Sequence, residues 1–449
     1  MKHVSPRRLA LSILARKVNI SGPANRHVGD IFSHHHYLTG RDRAFTMHLV
    51  QGVLRFKLRL DWIIGHVSRI PTNRIEPHVL NILRMALYQI LFMDRVPDSA
   101  AVNEAVKQVK GRSRKTAGFV NGILRQACRL KNNIPFPDPE KDMVRYLSVF
   151  YSYPVWLVRK WIRELGPDVT EAMLEASNHI PSLTIRTNCL RTDRKALLEH
   201  LRADRIDCTP SLYAPEGIKI SGMAGHITDI NAFKQGLLQV QGEAAQLVSR
   251  LLLPEKDERV LDVCAGLGGK TTHAAELMEN RGHIVSVDIN RGKLVALSAS
   301  ARRLGTERCI SPVVANALGR LPFSDCSFHK ILVDAPCSGL GVISKHPDSK
   351  WTKSEKDIRR LSELQLSILN RSAALLSKGG KLLYATCTIS KEENEDVVRA
   401  FLNKNKNMKL SDPDVPKYLK DFICPDGFFR TFPYLHGMDG FFAAMFSRK

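Results

Sequence analysis

The sequence predicts a multidomain chain: an all-α domain first, a small α+β module next, and an α/β domain with a parallel sheet last. Three observations predict it. Apolar residues in the first 130 positions recur at spacings of three and four, with few strand-like runs. Three prolines within five residues, Pro135, Pro137 and Pro139, then exclude helix and mark a linker. From about residue 240, short β-rich apolar runs alternate with helical patterns, as in a parallel sheet with crossover helices. A chain of 449 residues has room for all three parts, placed at 1–133, 140–235 and 236–449.

Taken in order, helical spacing shows in Ala10, Ile13, Leu14 and Val18, and again in Val79, Ile82, Leu83, Ala86, Leu87 and Ile90. It returns in Val120, Ile123, Leu124 and Ala127. Pro97-Asp98-Ser99 breaks the pattern, and Ser99 is placed to cap the helix that follows. Lys107, Lys110, Arg112, Arg114 and Lys115 surround Gly111 and should project from a loop between helices, a suitable grip for phosphates. Past the linker, Trp156, Val158, Trp161 and Ile162 suit a helix, Ser182 to Thr187 a strand, Arg194 to Leu201 a helix and Gly217 to Ile220 a strand. In the last domain, strands are expected at Val260–Val263, Ile284–Val287, Val313–Val314, Ile331–Val333 and Leu382–Ala385. Helices are expected at Lys293–Leu304 and Ile358–Leu376, the second stopped by Gly379-Gly380, with Phe441–Phe446 as a closing strand.

The net charge of +23 points to a polyanionic partner. It is concentrated at the front: residues 1–135 hold 23 Lys and Arg against 7 Asp and Glu. No apolar stretch is long enough to span a bilayer, and the N-terminus lacks a secretory apolar core. A cytoplasmic protein without a membrane partner is expected. Nine cysteines without a C-x-x-C pair signal neither a zinc site nor a disulfide framework. His34-His35-His36 are adjacent, so their rings do not converge, and no metal is expected.

Candidate chemistry gathers in the last domain. Cys264-Ala265-Gly266-Leu267-Gly268-Gly269-Lys270 joins a strand to a helix start. Glycines there permit positive φ and close backbone approach, and leading amides suit an anionic ligand. Gly-x-Gly-x-x-Gly fails because Thr271 stands at the third position, which weighs against a nicotinamide oxidoreductase. A smaller nucleoside ligand, S-adenosylmethionine, fits better. Asp288 ends the second strand, where a carboxylate can accept ribose hydroxyls. Cys337 and Cys387 each follow a strand-like run, at the carboxyl ends where open α/β sheets form their ligand crevice. Read alone, either is a buried core thiol; paired beside a cofactor turn, they suggest covalent chemistry.

Asp334-Ala335-Pro336-Cys337-Ser338-Gly339 and Ala385-Thr386-Cys387-Thr388-Ile389 resemble the two cysteine motifs of the Nop/Sun family of RNA 5-methylcytosine methyltransferases. His346-Pro347-Asp348-Ser349-Lys350-Trp351 and Glu393-Asn394-Glu395 fit the same family. Arg41-Asp42-Arg43-Ala44-Phe45, Gly52-Val53-Leu54-Arg55, the run from Val96 to Val106, and Phe119 to Arg125 are similar to the NusB-type helical RNA-binding domain. That pairing is the arrangement of the bacterial RsmB (Sun/Fmu) group, which modifies a cytosine of 16S rRNA. The resemblance implies a NusB-like domain, a small linker domain and a Rossmann-like methyltransferase domain, acting as a monomer on 16S rRNA or a small-subunit precursor. It implies Cys387 as nucleophile, Cys337 as the residue assisting release, and Asp334 in the active site. It places Lys270, Asp288 and Asn316, with Cys264, Ala265, Gly266, Leu267, Gly268, Gly269 and Asp334, at the cofactor.

Such chemistry is physically reasonable, because cytosine C5 is a poor nucleophile until a thiolate adds at C6 and makes the ring an enamine. The chain departs from the family in three places. Gly266-Leu267 replaces Ala-Pro, Asn316 stands where Asp is usual, and Leu340 replaces a common Thr. These bear on cofactor affinity more than on mechanism, since both thiols and Asp334 remain. They also motivate a rival reading, an antitermination-like RNA-binding protein with a degenerate methyltransferase domain. Trp351 is placed either to stack on a base or to pack in a core.

Overall fold

The computed structural model describes residues 4–17, 38–109, 113–223, 225–411 and 415–449. The chain forms two compact units, Met1–His179 with Ile343–Thr352, and Ile180–Val342 with Lys353–Lys449.

The first unit is helical among its described residues. Helices Pro6–Lys17, Gly40–Arg55, Lys57–Val67, Pro77–Phe92, Asp98–Val109 and Arg114–Leu130 come first, then Met143–Tyr151, Val155–Leu165 and Pro167–Ala176. Pro77–Phe92 is apolar nearly all round and buries ten of its sixteen residues, so it forms the centre of the core. Gly52 is required there: a Cβ would lie 2.0 Å from the Tyr88 ring. Tyr88 stacks with Phe56 and Phe92. The proline-rich stretch packs rather than dangles. Trp62 Nε1 donates to the Pro135 carbonyl at 2.9 Å, and Arg59 lies over the Phe136 and Phe150 rings.

Several local expectations change. Ser99 does not cap, because the helix already begins at Asp98 and the Ala101 amide turns back to the Pro97 carbonyl. Lys107 lies in that helix, paired with Glu104 at 2.8 Å, while Arg114 and Lys115 open the next helix behind a Ser113 cap. Lys110, Gly111 and Arg112 lie outside the described residues, as do Val18 and His34-His35-His36. Trp351 is half-buried: its Nε1 donates to the Leu54 carbonyl at 2.6 Å, and Lys57 sits over its ring. Lys350 beside it is fully buried, donating to the Arg55 carbonyl at 2.8 Å over the Tyr153 ring.

The second unit holds two sheets. The smaller is antiparallel, with strands β1 (Leu183–Thr187), β2 (Asp207–Pro210), β3 (Gly217–Gly222) and β4 (Leu238–Val240) in the order β2-β3-β1-β4. The larger has β5 (Arg259–Asp262), β6 (His283–Asp288), β7 (Ile310–Val314), β8 (Phe328–Asp334), β9 (Leu376–Thr386), β10 (Met408–Leu410), β11 (Phe429–Thr431) and β12 (Phe441–Arg448). Its order is β10-β12-β9-β8-β5-β6-β7, with β11 also on β12. Strands β5 to β9 pair in parallel, but β10, β11 and β12 join antiparallel, so the sheet is mixed rather than wholly parallel. Both faces are covered. Ile331, Val333, Leu382 and Tyr384 enter one core, while Leu332, Leu383 and Ala385 enter the other. Gly379-Gly380 does not stop a helix. Helix Glu355–Ala373 ends earlier, and the pair lies within β9 beside a register shift, with Gly379 at φ +75°.

The smaller sheet is bound to the larger domain through a saturated guanidinium. Arg186 on β1 is fully buried. It donates to Glu276 at 2.7 and 3.0 Å, to Thr272 Oγ1 at 3.3 Å, to the Gly269 carbonyl at 3.0 Å and to Gln241. All five N–H donors are therefore used.

Candidate active site

Strands β8 and β9 are hydrogen-bonded neighbours in register, with Asp334 opposite Ala385. The loops after them therefore leave the sheet side by side. The Cys337 and Cys387 sulfurs lie 3.2 Å apart, both partly exposed. The contact with Cys387 and burial together push the Cys337 thiol well above its usual range. A proton on Cys337, shared toward Cys387, is the arrangement this favours.

Strand β5 lies on the other side of β8 and feeds the Gly-rich turn. Gly266 and Gly268 both take positive φ, +58° and +80°. Gly268 also has no room for a side chain, since a Cβ would come 2.4 Å from Leu297. Helix Gly269–Leu277 follows and aims Lys270 at Asp334, with Nζ to Oδ2 at 2.6 Å. Burial opposes the ammonium, but Asp334 and then Cys387 outweigh it, and the Lys270 pKa is raised. Lys270 thus links the turn electrostatically to Asp334 and to one thiol. Beneath the turn, Asp262 is buried, with Thr271 on one oxygen and the other oxygen unpartnered. Burial lifts its carboxyl to about 7.

The remaining candidates follow the carboxyl ends of β5, β6 and β7 in the same sheet. Ala265 N–H donates to the Val287 carbonyl at 2.9 Å, and burial first of all pushes the Cys264 thiol up. Asp288 ends β6, accepting the Gly266 amide at 3.0 Å and the Asn290 amide at 2.8 Å. Asn316 lies past β7 and is engaged locally, accepting the Leu318 amide at 3.0 Å. The lining fits a nucleoside-bearing ligand. A Cβ at Gly269 would meet nothing within 4 Å, and no side chain caps the leading amides of that helix. Leu267 in the Gly-rich turn and Ile289 just after Asp288 stand 63% and 68% exposed.

Sequence reasoning missed Asp262, Ile289 and Arg186. A carboxylate inside an apolar strand and a cation at a strand position shared with buried residues were the available signals for Asp262 and Arg186. Ile289 follows Asp288 directly and had no signal of its own. Among the described residues no group of His, Cys, Asp and Glu could hold a metal, and no helix is long and apolar enough to cross a membrane.

Residues 249–447 match the 16S rRNA methyltransferase RsmB/F family, residues 4–129 the NusB family, and residues 153–225 the ferredoxin-like domain of RsmF/B-like methyltransferases. The three-part architecture read from the sequence is thereby present. The chain is 35% identical to the probable ribosomal RNA small subunit methyltransferase B of Bacillus subtilis, over the full length of both. It is 31% identical to ribosomal RNA small subunit methyltransferase B of Proteus mirabilis, over 92% of each. The crystal structure of PH0851 superimposes with a TM-score of 0.79 at 28% identity over the whole of both chains. NSun6 from Pyrococcus horikoshii shares the fold over 67% of this chain, with a TM-score of 0.58 at 23% identity.

Proposed function

We propose the reaction from one premise: the chain belongs to the ribosomal RNA small subunit methyltransferase B family. It methylates C5 of a cytosine in 16S rRNA, using S-adenosylmethionine, through a covalent adduct on Cys387. The observation that carries this reading is the pair of thiols 3.2 Å apart on loops beside the Lys270–Asp334 pair. The basic helical unit places the RNA.

Gly266, Gly268, Gly269 and Asp288 would hold the cofactor, which supplies an electrophilic methyl group when bound. Cys387 adds to C6, forming the S–C6 bond and passing the double-bond electrons into the ring. The Lys270 ammonium, held in place by Asp334, offsets the negative charge that develops there. The C5 carbon so activated would accept the methyl group that the bound cofactor supplies, the C–S electrons returning to sulfur as a neutral thioether leaves. Cys337, having lost its own proton to solvent, then takes the C5 proton as a thiolate, the C5=C6 bond re-forms, and the C6–S bond breaks with its electrons returning to Cys387. One pKa cause fits this order. Cys387 is what chiefly raises the Cys337 pKa. Once Cys387 is a thioether, that cause is gone, so Cys337 gives up its own proton more readily and is available as a thiolate.

The two cysteines should therefore fail differently. On a denaturing gel with methyl-labelled S-adenosylmethionine and 16S rRNA, Cys387→Ala should give no adduct and no product. Cys337→Ala should attack, methylate and stall as a labelled protein–RNA band. The reverse pattern would exchange the roles. Activity retained in both variants would remove covalent catalysis.

A further inference from the structure

The two thiols sit on loops, yet one adjoining dipeptide holds both loops. Glu393 ends a short turn (Lys391–Glu393), and Asn394 follows it, both buried. The Glu393 carboxylate faces the Cys337 loop. It accepts the Ser338 amide at 2.8 Å and the Ser338 hydroxyl at 2.5 Å. It also accepts Gln365 Nε2 at 3.0 Å, and that same nitrogen donates to the Pro336 carbonyl at 3.0 Å. Both neighbours of Cys337 are thus tied to one carboxylate and its partner. The Asn394 amide faces the other way. Its Oδ1 accepts the Thr386 hydroxyl at 2.6 Å, and its Nδ2 donates to the Thr388 carbonyl at 3.0 Å. Those are the two neighbours of Cys387. The Tyr384 hydroxyl fixes the dipeptide itself, donating to the Glu393 carbonyl at 2.6 Å.

We propose that Glu393 and Asn394 are positioning residues divided between the thiols, with Glu393 setting Cys337 for release and Asn394 setting Cys387 for attack. Neither side chain is hydrogen-bonded to a thiol, so each acts mainly through the loop it grips, although the Glu393 charge also pushes the Cys337 thiol up. Burying a carboxylate is costly unless its hydrogen bonds are filled, and here three donors fill them. A misplacement of about 1 Å is enough to cost on the order of a hundredfold in rate.

The proposal rests on the covalent reading above, and its test separates the two. Full-length variants are given 16S rRNA and methyl-labelled S-adenosylmethionine, and the appearance and decay of the adduct are timed on denaturing gels. Glu393→Ala should form adduct near the wild-type rate but resolve it at least about tenfold more slowly, so a band accumulates. Glu393→Gln should restore resolution, because the amide oxygen still accepts the Ser338 N–H. Asn394→Ala should slow adduct formation by about tenfold or more without accumulation. Equal slowing of both steps in both alanine variants, or no rescue by Glu393→Gln, would overturn the proposal. Should either alanine variant fail to fold, Ser338→Ala and Thr386→Val remove one bond from each clamp. They should show the same division more weakly, and equal slowing there overturns it too. A band from Cys337→Ala but none from Glu393→Ala defeats this proposal alone. No band from Cys337→Ala defeats the covalent reading beneath it.

Discussion

Asp288 has two duties that one substitution can separate. Its carboxylate is largely buried and accepts the Gly266 amide at 3.0 Å and the Asn290 amide at 2.8 Å, with Lys293 Nζ at 3.6 Å. The first duty is structural, since Gly266 belongs to the Gly-rich turn and Asn290 caps the helix Arg291–Leu304. The second, proposed, is to accept a ribose hydroxyl. A hydrogen bond to a charged group is worth about 1.5–3 kcal/mol. Asp288→Ala removes two such bonds from the fold, and water at the crevice replaces part of them, so stability should fall by about 2–3 kcal/mol. Binding loses the third bond. At 1.4 kcal/mol per tenfold, affinity should weaken by roughly ten- to a hundredfold. Thermal melting of the ligand-free protein reads the first effect, and calorimetry with S-adenosylhomocysteine the second. A lower melting temperature with unchanged affinity would show that the carboxylate only shapes the turn. It would remove Asp288 from the cofactor site.

The Gly-rich turn gives a paired contrast. Gly268→Ala forces a Cβ to 2.4 Å from Leu297 at φ +80° and should destabilise by about 1–3 kcal/mol, whereas Gly269→Ala meets nothing within 4 Å, should keep its melting temperature and should weaken only cofactor binding. Equal melting temperatures for the two would contradict the turn geometry. Arg186→Met leaves Glu276 buried without its partner and should cost about 3–5 kcal/mol in urea titration, most of it recovered in Arg186→Met/Glu276→Leu; additive losses would refute the coupling. Asp262, raised by burial to about 7, binds its proton more tightly folded than unfolded, so stability should fall from about pH 4 to pH 7 and level above. Asp262→Asn should flatten that slope, and a slope left intact would mean the carboxyl is not held neutral.

The elements that sequence patterning reveals are those whose side chains answer to one face or to two buried faces. Helix Arg114–Leu130 shows because its buried positions, Val120, Ile123, Leu124 and Ala127, repeat with the helical period, and β8 shows because both sides of the sheet are covered. Short strands such as β4, β10 and β11 carry too few residues for a period of two to stand out. Gly379-Gly380 misled because glycine stops a helix and bulges a strand by the same conformational freedom. In the site, strand-end cysteines and the Gly-rich turn are local in sequence, and so legible. What fixes them is not local. Glu393 grips Ser338 from 55 positions away, and Arg186 grips Glu276 from 90.

The same distinction revises what the net charge of +23 means for RNA. A count treats every cation as available to phosphates, but the fold withdraws several. Arg55 donates to the Ser344 carbonyl at 2.6 Å, and Lys350 lies under it against the Tyr153 ring. Burial, with Arg55 adding to it, drives the Lys350 pKa well down, so this cation serves packing. Lys107, Lys131 and Arg84 face Glu104, Asp98 and Asp61. Arg114, Lys115, Arg125 and Arg129 remain exposed along one helix, Arg114–Leu130, whose buried stripe of Val120, Ile123, Leu124 and Ala127 fixes which side they occupy. Counter-ion release depends on phosphates actually neutralised, about 0.9 per contact in the salt slope, and not on total charge. Among the described residues, this helix side therefore presents an ordered set of exposed cations, and the charge open to phosphates is smaller than the net count suggests.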